Sequence, residues 1–158
     1  MPPLMPNTLG TSPQRGNRLR RVARAWLIAV SLLNGLAGLV CGVLLVARPD
    51  GSLLMATALL PVIRTLPFAN VFFGDLFWIG AVMILALGIP NLVAIVMLIQ
   101  TNVRQYQVAL AAAVLLMCWC GFELIYMFNF AAVGYFAVGT VSALCALWLL
   151  GRPQEASA

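Results

Sequence analysis

The chain has no histidine, no lysine and only four acidic residues among its 158 positions. Without imidazole, the common zinc sites and histidine-based acid–base catalysis have no side chain to work with. Cysteine is present but misplaced for redox work. Cys41, Cys118, Cys120 and Cys145 all fall inside apolar runs, not in loops where a thiol pair would act. Cys118 and Cys120 are two residues apart, which is about 200° around a helix, so they cannot grip one metal together. All four read as small hydrophobes. Serine and acid arrangements suited to intramembrane proteolysis are also missing. The chain therefore reads as a non-enzyme with no cofactor and no metal.

Charge of either sign is scarce. Charged residues make up 8% of the chain and hydrophobic residues 63%, whereas a soluble domain carries about 25% charged residues to wet its surface. Most of this surface must meet lipid. The fold class that follows is all-α: a polytopic membrane protein built as a four-transmembrane-helix bundle. Its length suits one such domain.

What is present is four long apolar runs. They predict helices over about 24–47, 72–100, 106–128 and 130–150, within a transmembrane domain spanning 23–150. Each is long enough to cross a hydrocarbon core of about 30 Å at 1.5 Å per residue. Arg48-Pro49-Asp50-Gly51 ends the first run, because proline cannot continue a helix and Gly51 favours a turn. Gly88-Ile89-Pro90-Asn91 predicts a kink inside the second. The loop 48–71 is rich in leucine and is expected to form short interfacial helix over the end of the bundle, with Asp50 or Ser52 capping the first turn. Residues 1–22, rich in proline, glycine and arginine, read as a disordered basic cytoplasmic tail, and 151–158 as a second, short cytoplasmic tail.

The charge that exists is placed unevenly. Arg15, Arg18, Arg20, Arg21 and Arg24 precede the first helix, with no acid among them. Their expected partner is anionic lipid, not nucleic acid. With the N-terminus inside, seven arginines lie on the inner side and two, Arg48 and Arg64, on the outer side, which satisfies the positive-inside rule. Both termini are then cytoplasmic. Trp26, Tyr106 and Trp148 fall near the inner boundary, and Trp78, Tyr126 and Phe130 near the outer one, as headgroup belts would. A bacterial cytoplasmic (inner) membrane is the expected location.

Two groups of residues stand out. Glu123 is the one acid inside an apolar span, about five residues before the end of helix three. A carboxylate there needs a polar partner, because lipid offers none. Arg48 or Arg64 is expected to pair with it, in a loose outer cluster that includes Asp75, with Asn34 as a further hydrogen-bonding candidate. The second group is Ser31, Gly35, Gly38 and Gly42, at steps of four, three and four along helix one. Small residues on one face let another helix approach closely. That partner could be helix two or helix four, where Gly139, Ser142 and Ala146 suggest a matching face, or a second subunit.

The segment Arg48-Pro49-Asp50-Gly51-Ser52-Leu53-Leu54, with Pro61 and Leu66-Pro67-Phe68 after it, resembles a family of uncharacterised bacterial four-helix integral membrane proteins. So does the stretch from Trp119 through Glu123 to Tyr135-Phe136-Ala137, where a polar residue, often glutamine in that family, follows tryptophan by four. The resemblance covers about Ala25 to Leu150 and implies a fold and a membrane location. It implies no activity. The chain is expected to be an accessory or interaction subunit, with a membrane-protein partner or a second copy of itself. A small proton-linked transporter or channel subunit using Glu123 is the alternative.

Overall fold

A computed structural model describes residues 13–65 and 74–152, together with Ala69. Among them are four long apolar helices: α1 (Pro13–Ala47), α2 (Phe77–Ile99), α3 (Gln105–Tyr126) and α4 (Phe130–Leu150). Each is long and apolar enough to cross a membrane, which makes this a multi-pass membrane protein. Only 22–33% of the residues in each apolar span are buried within the protein. The rest, such as Leu33, Leu85, Ile125 and Leu144, are exposed. Water cannot hold that much apolar surface, so lipid must.

The helices run up and down in chain order. α1 packs along α2, α2 on α3, and α3 on α4, while α4 returns to α1 and closes the ring. α1 and α3 are diagonal and barely touch. Both ends of the described chain and the α2–α3 turn lie at one end of the bundle, called here the terminal end. The α1–α2 loop and the α3–α4 turn lie at the other, the loop end.

Residues 13–22 are helical, where the sequence suggested disorder. Pro13 opens the helix, where its missing N–H would have had no partner anyway. Arginine, the commonest residue of the following turns, is a good helix former. The 35 residues of α1 span about 52 Å at 1.5 Å per residue. That exceeds the hydrocarbon core, so the amino-terminal turns stand in the headgroup region. Expectations for 1–12, for the Pro67 turn, for the start of helix two near 72 and for 153–158 lie outside the described residues.

α1 and α2 are held close by glycine on both sides. A Cβ at Gly38 would lie 2.7 Å from the backbone nitrogen of Gly88, and one at Gly42 would lie 2.8 Å from the carbonyl oxygen of Gly80. In lipid such close approach is how helices gain contact, since no water is released between them. Gly35, Gly38 and Gly42 of the stripe are therefore used inside the chain, against helix two, and Ser31 is buried. Gly139 instead meets α3, at Met117 and Ala113. Ser142 accepts a hydrogen bond from the Trp26 indole at 3.1 Å and donates to Val138 O at 2.8 Å.

The break in α2 takes the form of a π-helical stretch, Met83–Gly88. The Ile89 N–H reaches back five residues to Ile84 O. Pro90 has no N–H to offer, so the ladder must loosen before it. The Asn91 side chain donates to Leu87 O at 2.8 Å within this stretch.

The core has three apolar layers. Leu27, Leu98, Tyr106, Ala112, Ala146 and Leu149 fill the terminal end. Leu87, Leu116 and Cys120 form the middle layer, and Leu45, Ile63, Leu76 and Ile79 the loop end. Ile63 comes from the α1–α2 loop, which folds back as two short 3-10 turns (Ser52–Leu54, Thr57–Leu59) and a helical turn (Leu60–Ile63). Gly51 makes this return possible. Its φ is 74°, and a Cβ would lie 2.6 Å from Leu76. Leu76 N–H bonds Pro49 O at 2.9 Å and Ala56 N–H bonds Gly51 O at 2.9 Å, which stitches the loop across the bundle.

Candidate functional site

The residues expected to form one outer cluster make no ion pair with one another among the described residues. Asp75 is exposed and accepts the Phe77 N–H at 3.0 Å, serving the start of α2. Arg48 and Arg64 are exposed at the ends of α1 and of the Leu60–Ile63 turn. Asp50, not Asp75, has the strongest local role. It accepts from Ser52 N–H at 3.0 Å and from the Ser52 hydroxyl at 2.8 Å. These two donors hold its carboxyl below the ordinary aspartate value of 3.8.

Glu123 is half-buried on α3. The polar side chains beside it are Trp119, one turn earlier, and Asn129 in the α3–α4 turn, whose amide nitrogen donates to Met127 O at 3.0 Å. The expected ion pair with Arg48 or Arg64 is not formed among the described residues. The fold explains why. Arg48 ends α1, which is diagonal to α3, and the Leu45–Ile63–Leu76–Ile79 layer fills the space between. Trp119 stands beside Glu123 because i and i+4 share a helix face. Asn129 was legible only as a turn residue. Its Oδ1 accepts Ala132 N–H at 2.6 Å and caps α4, and the same short turn brings its amide beside Glu123.

Asn34 lies elsewhere. It is 4% exposed, one residue before Gly35, which abuts Asn91 and Leu92 in the interior. Its side-chain nitrogen has no hydrogen-bond partner among the described residues. Nearer the terminal end, Arg24 donates through Nη2 to Leu98 O, close to the carboxyl end of α2, where a cation is favoured.

The feature that sequence reading did not reach is a groove between α2 and α3 in the loop-end half of the bundle. Its volume is about 510 Å³. Trp78, Val82 and Ala86 line one wall, and Leu115, Cys118 and Phe122 the other. It opens sideways, toward lipid. Trp119 links the two features, since it lines the groove and also partners Glu123. Cys118 is exposed here and Cys120 is buried in the middle layer, on the opposite side of the helix. The groove can receive an apolar body, and it brings no acid–base pair to bear on it. No family model matches the chain, and neither does any curated protein or solved structure.

Proposed function

We propose that this chain is a non-enzymatic accessory subunit of a membrane assembly, and that the α2–α3 groove receives an apolar segment of its partner. The groove is the observation that carries this reading. It is apolar, it faces lipid along the side of the bundle, and Trp78 and Trp119 supply large contact area at little conformational cost. The filled core supports the same reading, because three apolar layers occupy the space where a through-path would run. The reading includes a bacterial cytoplasmic membrane, both termini cytoplasmic, and membership of the four-helix family that the Pro49 and Trp119 segments resemble. Photo-crosslinking amino acids at Val82 and Leu115 test it in native membranes. A discrete protein adduct from both positions, absent from a site at lipid-facing Leu33, is the expected result. Adducts with lipid alone would refute the partner.

One observation favours a second reading. Glu123 has neutral partners, Trp119 and Asn129, and so is free of the arginines that would fix its charge. A proton-linked transporter or channel subunit would use such a group. Proton flux into vesicles carrying the purified chain, abolished by Glu123→Gln at unchanged thermal stability, would favour it over the first.

A further inference from the structure

A second groove lies at the terminal end, between α1 and α4, and is separate from the α2–α3 groove. Its volume is about 370 Å³, and it is lined by Leu19 from α1 and by Val141, Leu144, Cys145 and Trp148 from α4. The Trp26–Ser142 hydrogen bond ties the same two helices together, α1 to α4. The mouth of the groove is marked by Arg152. The guanidinium carbon stands 4.2 Å from the centre of the Trp148 ring, a cation–π contact. The same guanidinium lies beside Gly16, where a Cβ would be 3.9 Å from Nη1. Gly16 precedes Leu19 by three residues, so Arg152 reaches from α4 across the mouth to α1.

Among the described residues, the charge around this mouth is of one sign. Arg18, Arg20, Arg21, Arg24, Arg104 and Arg152 are the charged groups described at this end, and no acid precedes Asp50 in the chain. The depth also fits a lipid. From Ser142 to Arg152 is ten residues, about 15 Å at 1.5 Å per residue, with a cation at the headgroup level and apolar walls below.

We infer that the α1–α4 groove binds one anionic phospholipid, with an acyl chain along Leu19, Val141 and Leu144 and the phosphate at Arg152. Arg152 gives up little to make this contact, since Trp148 already holds its guanidinium in place. The arginines on the amino-terminal turns of α1 add a general attraction to anionic lipid that falls off within a Debye length.

The test uses the purified full chain in detergent micelles with equimolar phosphatidylglycerol and phosphatidylcholine of identical acyl chains. Native mass spectrometry reads the lipid retained. The expected result is one phosphatidylglycerol retained in preference. Arg152→Gln should cut that preference about five-fold. Leu144→Trp, which fills the groove, should lower retention of both lipids. Arg104→Gln, at the same end but on the α2–α3 turn, should leave the preference unchanged. Arg152 is exposed, so its loss leaves the fold intact. Equal retention of the two lipids by the unaltered chain overturns the inference. So does an undiminished preference in Arg152→Gln, or an equal loss in Arg104→Gln, which would indicate attraction to net charge alone.

Discussion

Adding one methyl group at Gly38 should separate α1 from α2. The new Cβ would stand 2.7 Å from Gly88 N and 2.9 Å from Leu87 Cβ. Ordinary contact begins near 3.4 Å, so the helices must open by about 0.7 Å. A radial gap of about 0.5–1 Å forfeits a quarter to a half of each dispersion contact along the seam. Overpacking of this kind costs about 1–3 kcal/mol. The upper end applies here, because the opposing atom is backbone and cannot swing away. Against this, Gly→Ala gains about 1 kcal/mol of helix propensity. The net loss for Gly38→Ala is then about 2 kcal/mol, or about thirty-fold in the folded-to-unfolded ratio. Gly134→Ala is the control. Nothing lies within 4 Å of its new Cβ, so it should be neutral or slightly stabilising. Gly139→Ala should fall between, since its nearest neighbour is the flexible Met117 side chain at 2.8 Å. Gly42→Ala should resemble Gly38→Ala. The double variant Gly38→Ala/Gly42→Ala should cost less than the sum, because one opening relieves both clashes. The assay is equilibrium unfolding of the purified protein in mixed micelles. Stability of Gly38→Ala equal to that of Gly134→Ala would refute the reasoning.

Other expectations concern the loop end. Asn129→Ala should cost about 1 kcal/mol as a lost N-cap, and Glu123→Ala should also destabilise, while Glu123→Gln should keep most of the stability because an amide can still accept from Trp119. Melting temperatures of the three variants check this, and a Glu123→Gln variant as unstable as Glu123→Ala would contradict it. In a cysteine-free background, a cysteine at Ile63 should resist a membrane-impermeant maleimide while one at Met55 reacts, since Ile63 is fully buried and Met55 is 92% exposed; equal labelling would show that the loop does not cap the bundle. The Asp50 carboxyl titrates below its unfolded value, so the order it gives the loop is present above about pH 4 and is lost as the pH falls through its folded pKa. Protease protection of the 48–65 loop should therefore fall in acid, and Asp50→Asn, which still accepts from Ser52, should remove that pH dependence; an unchanged acid response in the variant would rule out Asp50 as its cause.

The number of spans and the break near Pro90 were legible in the sequence because they depend on local chemistry. A run of about twenty apolar residues has one stable way to satisfy its backbone in lipid, whatever surrounds it. Proline removes a donor wherever it stands. The glycine stripe on α1 was legible as a seam for the same reason. Its partner was not, since Gly80 and Gly88 on one side and Gly139 with Ala146 on the other offered comparable small faces. That choice was made by the ring order of the helices. The same order decided the surroundings of Glu123. Opposite charges suggested Arg48, but α1 and α3 are diagonal, and the loop drives Ile63 into the space between them. Short-range neighbours, Trp119 by helical repeat and Asn129 by the turn, took the arginine's place. Both grooves belong wholly to the tertiary structure, because each is a gap between two separate helices. Sequence patterns state what a helix presents, while the angle and spacing between two helices determine whether a space remains between them.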